Sequence, residues 1–74
     1  MNGLTEDLLN GVSRDIEREW ESKGGAGNIE YFVNMVTKSG LTDNDLSNFL
    51  MERKAVAPVS VVTVFNAVLD ENEK

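Results

Sequence analysis

Hydrophobic residues recur at intervals of three and four over the first twenty residues, which is the spacing of one face of an α-helix. The residues of this apolar sector are Leu4, Leu8, Leu9, Val12, Ile16 and Trp20. Thr5 can cap the helix through its side-chain oxygen. Glu6 and Asp7 follow in the first turn, where carboxylates suit the positive end of the helix dipole. The pattern predicts a first helix over residues 5–22.

Glycines occupy positions 24, 25 and 27 and predict a break in the chain, since each costs a helix roughly 1 kcal/mol relative to alanine. A second helix is expected over residues 29–38, with Asn28 as its cap and Gly40 as a left-handed terminator. Its apolar face consists of Ile29, Phe32, Val33, Met35 and Val36.

The segment from Leu41 to Leu46 is typical of a helix start. Thr42 can cap, acidic residues fill the first turn, and Leu41 can pack on Leu46 as a hydrophobic staple. A third helix is therefore predicted over residues 43–53.

Residues 59–65 are rich in β-branched side chains, so a strand competes with a helix here. The spacing favours a helix, because Val61, Val62, Phe65, Val68 and Leu69 recur as one helical face. A lone strand would also have no visible partner. We predict a fourth helix over residues 59–69 and a frayed acidic tail over 70–74, whose charge opposes the helix dipole.

Together these elements predict an all-α fold, a small single-domain bundle of about four short helices over residues 1–74. Seventy-four residues allow one modest core. Thirteen Asp and Glu against seven Lys and Arg give a net charge of −6, which favours basic protein partners over nucleic acid. No segment resembles a signal peptide or a membrane span, so we expect a cytoplasmic protein.

Candidate chemistry is sparse, because the chain contains neither cysteine nor histidine. The common metal ligands and the usual general base are therefore missing. Asp43, Asp45 and Ser47 alternate like the start of a calcium loop, but Asn48 replaces the glycine and Lys54 the glutamate that such a loop requires. We expect no metal, no cofactor and no enzymatic activity.

Four residues are candidates for binding a partner protein. Trp20 lies at a helix end, where tryptophan either closes a core or anchors an interface. Tyr31, Met51 and Val64 lie off the apolar sectors of their own helices, so a minimal core would not need them. The main hypothesis is a small acidic protein-binding module, an adaptor, inhibitor or regulator. The hypothesis includes a homodimer, because a short chain gains stability from a second copy of itself.

The alternative hypothesis is a helix-turn-helix-like DNA-binding regulator that uses residues 41–69. Its candidate DNA-binding residues are Arg53, Lys54, Ser60, Thr63 and Asn66. The connection between the two helices is longer than the usual tight turn, and the second helix contains no Arg or Lys. Both features favour a protein partner.

Overall fold

The computed structural model describes residues 3–53 and 56–73, and these ranges form four α-helices. The helices are α1 (Gly3–Glu19), α2 (Ile29–Lys38), α3 (Asp43–Arg53) and α4 (Val59–Asn72), with a short 3-10 turn at Gly25–Asn28 before α2. No strand occurs in the described ranges, and residues 59–65 are helical throughout. The predicted all-α bundle is confirmed.

Helix α4 is the centre of the bundle, since it packs against each of the other three helices. Five of its fourteen residues are buried. Burial in a helix-lined core outweighs the strand propensity of its valines, because each buried valine or phenylalanine contributes about 1.5–3 kcal/mol. The hydrophobic core consists of Leu9, Val12, Ile16, Phe32, Val36, Leu46, Phe49, Val61, Val64, Phe65 and Val68.

The start of α3 is held by the predicted cap. The Thr42 hydroxyl accepts a hydrogen bond from the Asp45 amide at 3.1 Å, and the Asp45 carboxylate accepts one from the Thr42 amide at 3.1 Å. This reciprocal capping box satisfies two amides that the helix leaves unpaired. Immediately before it, Gly40 adopts a φ of 88° and ends α2, as expected of a left-handed terminator.

Two predicted caps are wrong. Helix α1 already includes Gly3, so Thr5 lies inside the helix and does not cap it. The Asn28 side chain makes no capping hydrogen bond, because the 3-10 turn leads directly into α2.

Two predicted helix ends also differ from the structure. Helix α1 ends at Glu19 and not at residue 22, because the following turns are closed by hydrogen bonds such as that from the Gly25 amide to the Trp20 carbonyl, at 2.6 Å. Helix α4 continues to Asn72, where the tail was expected to fray. The Asn72 side-chain amide donates to the Asp43 carboxylate at 2.5 Å and so holds the last turn of α4 against the start of α3.

The predicted apolar sector of α1 is only partly used. Leu9, Val12 and Ile16 are buried, whereas Leu4 is 83% exposed and Leu8 is exposed as well. The other described helices cover only the sector of α1 that contains the three buried residues. Helical periodicity identified the apolar residues but not the width of the covered stripe.

Trp20 closes one end of the core and depends on the glycine turn. Its ring lies 5.4 Å from that of Phe32, at an interplanar angle of 40°. Gly25 has a φ of 55°, and a Cβ at this position would lie 3.3 Å from the Trp20 Nε1 atom. A glycine is therefore needed here for two reasons, the left-handed backbone and the contact with the indole ring.

We expect Gly25→Ala to lower the free energy of unfolding by about 1–2 kcal/mol, because alanine is strained at positive φ and its methyl group crowds Trp20. Gly27→Ala is the matched control, since Gly27 lies in the same turn with open space around it and no positive φ. Urea unfolding followed by Trp20 fluorescence measures both. Equal losses for the two variants would contradict the role of Gly25.

Thr42→Ala is expected to lower the free energy of unfolding by about 1 kcal/mol, because it removes the acceptor of the Asp45 amide. Thr37→Ala serves as the control, since the exposed Thr37 hydroxyl only donates to the Val33 carbonyl within its own helix. Thermal unfolding followed by circular dichroism compares them. A Thr42 variant as stable as the wild type would show that the capping box contributes nothing.

Candidate protein-binding face

Large apolar side chains reach the surface at three separate places on the described residues. Leu4 and Leu8 lie one turn apart on α1, Tyr31 lies on α2, and the third group surrounds the connection between α3 and α4. This third group contains Met51, Val56 and Val59, each 80–81% exposed. It has the most members of the three, and Met51 lines a groove between α3 and α4.

The groove runs between α3 and α4 and has a volume of about 210 Å³. Leu50, Met51, Val62 and Asn66 line it. On α4, Val59, Val62, Asn66 and Asp70 follow one another at intervals of three and four, so they share the outer side of that helix. We call the α3–α4 face the surface formed by Asn44, Ser47, Leu50, Met51, Val59, Val62, Asn66 and Asp70.

The α3–α4 face has an apolar end and an acidic end. The two helices are antiparallel, as the ring contact of Phe49 with Phe65 at 5.2 Å and the hydrogen bond of Asn72 with Asp43 show. Met51, Val59 and Val62 therefore lie at one end, and Asp43 and Asp70 lie at the other. Asparagine and serine side chains occupy the middle of the face.

Helices α3 and α4 together carry a negative net charge. Five carboxylates, of Asp43, Asp45, Glu52, Asp70 and Glu71, stand against the single guanidinium of Arg53. Arg53 is turned towards α1, where its side chain pairs with Glu6 at 3.1 Å and donates a hydrogen bond to Asn10. Its guanidinium also lies 5.3 Å from the centre of the Phe49 ring. Arg53 therefore does not offset the charge of Asp43 or Asp70 at the acidic end.

Of the four candidates for partner binding, only Met51 lies on this face. Val64 is wrong as a surface candidate, because it is completely buried. The reason is that three helices surround α4, so its buried sector is wider than the one-sided stripe that periodicity assumes. Sequence reasoning missed Val59 and Val62 as surface residues for the same reason, since every valine of α4 looks equally suited to a core.

Trp20 and Tyr31 lie together at a different place, the junction of α1 and α2. The Tyr31 ring packs edge-on against Phe32 at 5.2 Å, and its hydroxyl donates to the Glu19 carboxylate at 3.3 Å. The Lys23 ammonium lies 5.2 Å from the centre of the Tyr31 ring. Tyr31 and the half-buried Trp20 thus make contacts within the bundle, and they do not form one surface with Met51.

The described residues proposed for DNA binding are not all exposed. Ser60, the second residue of α4, is buried and is therefore wrong as a surface contact, while the half-buried Arg53 pairs with Glu6 and Asn10 of α1. Thr63 is half-buried and Asn66 is exposed, while Lys54 lies outside the described residues. The DNA-binding hypothesis itself stays a prediction.

Another depression, of about 450 Å³, lies between α2 and α4, and its lining includes Glu30, Val33 and Glu71. In the described part of the chain, no group of three or more acidic side chains is close enough to hold a metal ion. None of the described helices is both long and apolar enough to cross a membrane.

Alanine substitutions should separate core from surface on these helices. Val64→Ala is expected to lower the free energy of unfolding by roughly 2 kcal/mol, because it leaves a cavity among three helices. Met51→Ala, on an exposed position, should change it by less than about 0.5 kcal/mol. Chemical denaturation of both variants checks this. Equal destabilisation would place Met51 in the core and contradict the description of the face.

No protein-family model matches the sequence, and no match was found among curated proteins or among solved structures.

Proposed function

We propose that this chain is a small, acidic, non-enzymatic protein-binding module that acts in the cytoplasm as an adaptor, inhibitor or regulator. Its binding surface is the α3–α4 face. The observation that carries the proposal is the exposure of Met51, whose side chain is 80% exposed and lines the groove between α3 and α4. The other described methionine, Met35, packs against the core.

The distribution of apolar side chains supports this proposal. Grouped apolar residues at a surface, surrounded by polar ones, mark interaction sites more often than scattered single residues do. Methionine suits such a surface, because its unbranched and polarisable side chain adapts to the shape of a partner. Met51, Val59 and Val62 meet this description, with the polar Asn66 beside them in the lining of the groove.

Duplex DNA is the less favoured partner. Helix α4 contains no Lys or Arg, and the one guanidinium of α3 already pairs with Glu6. A DNA-binding helix needs cations that neutralise the phosphates of DNA, whereas the carboxylates of α3 and α4 would repel those phosphates.

The test is to recover partners from a cell lysate with the tagged protein, with and without nuclease, at about 0.1 M salt, where exposed charges are incompletely screened. We expect a protein that is retained after nuclease treatment by the wild type and lost by Met51→Lys, because a buried ammonium in an apolar contact is costly. Leu4→Lys is the control, since Leu4 and Met51 are almost equally exposed, at 83% and 80%, and the charge change is identical.

Three outcomes would contradict the proposal. Loss of all retained proteins after nuclease, with DNA recovered without it, would favour the DNA-binding hypothesis. Equal loss in both lysine variants would show that overall charge, not the α3–α4 face, governs binding. Retention of the partner by Met51→Lys would place the binding site elsewhere on the bundle.

A further inference from the structure

The shape and charge of the α3–α4 face point to one kind of occupant. We infer that this face binds an amphipathic α-helix of a partner protein, with apolar residues towards one end and Lys or Arg towards the other. The inference rests on the proposed function and names the chemistry of the partner at the same site.

A helix fits the groove better than an extended segment does. An extended peptide gains most of its affinity from main-chain hydrogen bonds to the edge of a sheet. The described residues provide helices only, whose main-chain groups are already paired within each helix. An α-helix satisfies its own main chain and binds a groove through side chains spaced three and four residues apart.

The length of the face also suits a helix. With a rise of 1.5 Å per residue, the fourteen residues of α4 span about 21 Å. A partner helix of about fourteen to eighteen residues covers this distance. Its apolar side chains would contact Met51, Leu50 and Val62, which line the groove, with Val59 beside them.

The acidic end selects the charge of the partner. Asp70 lies on the face at this end of α4, and Asp43, at the adjoining start of α3, accepts a hydrogen bond from Asn72. Since Arg53 pairs with Glu6 on α1, no cation of the described part of these two helices offsets the charge of Asp43 or Asp70. Lys or Arg on the partner would offset this negative charge and would also speed association.

A second copy of the chain matches the face less well. In a symmetric dimer that used the whole face, either the apolar end of one copy would lie on the acidic end of the other, or the acidic ends of the two copies would meet and repel each other. A dimer through the apolar ends alone would bury little beyond Met51, Val59 and Val62, far less than the roughly 800 Å² per partner of a standard interface. A basic amphipathic helix complements both ends at once.

The experiment uses a fluorescein-labelled, 18-residue helical peptide of leucine and lysine, with its leucines on one face and its lysines concentrated towards one end. A peptide with glutamate in place of every lysine is the matched control. Fluorescence anisotropy at about 0.1 M salt measures the Kd of each peptide for the full chain. We expect the lysine peptide to bind and the glutamate peptide to bind at least about tenfold more weakly.

Variants of the chain locate the binding site. Met51→Lys should raise the Kd at least about tenfold, as expected when a charge replaces a buried apolar contact of an interface. Asp70→Lys should raise it about three- to fivefold, as expected for an exposed charge pair. Leu4→Lys and Asp7→Lys, at exposed positions of α1, are the charge-matched controls and should leave the Kd within about twofold.

Circular dichroism checks that each variant is folded. If Met51→Lys unfolds, Val59→Lys replaces it, because Val59 is 81% exposed. Equal binding of the two peptides, or equal effects of the site variants and their controls, would overturn the inference. The inference would also be overturned if sedimentation equilibrium showed that the chain alone forms a dimer and that Met51→Lys dissociates it. If the lysate partner depends on Met51 but the lysine peptide does not bind, the proposed function stands and the helical, basic partner is wrong.

Discussion

Burial of α4 on three sides is the constraint on which the rest of this structure depends. A chain of 74 residues can build only one modest core. Here α4 is surrounded and contributes four buried hydrophobic residues to that core, while each of the other three helices contributes two or three. Val61, Val64, Phe65 and Val68 are consequently buried together, on a helix whose β-branched residues would otherwise favour a strand.

The same arrangement creates the α3–α4 face. Because α4 uses its inner sector for the core, only its outer side, from Val59 to Asp70, is free for other contacts. Helix α3 lies antiparallel beside it, joined near the middle by the Phe49–Phe65 ring contact and at one end by the Asn72–Asp43 hydrogen bond. A face with an apolar end and an acidic end follows from this pairing.

Polar contacts give the bundle its specificity more than its stability. The pair of Arg53 with Glu6 is partly exposed, so its electrostatic contribution is small, but it joins residues 47 positions apart and sets α1 against the end of α3. It also removes the only guanidinium of α3 from the α3–α4 face. One ion pair thus affects both the packing of the helices and the charge that a partner would meet.

The sequence by itself determined the features that depend on neighbours in the chain. The start of α3 at Thr42, the break at the glycines, the end of α2 at Gly40, the four helices and the acidic balance all follow from local hydrogen bonding, backbone freedom and composition. Tertiary structure alone decided that Val64 is buried, that Leu4 is exposed and that Arg53 faces α1. Periodicity shows which residues can share a side of a helix, but how much of that side is covered depends on the other helices, which contact it from distant parts of the chain.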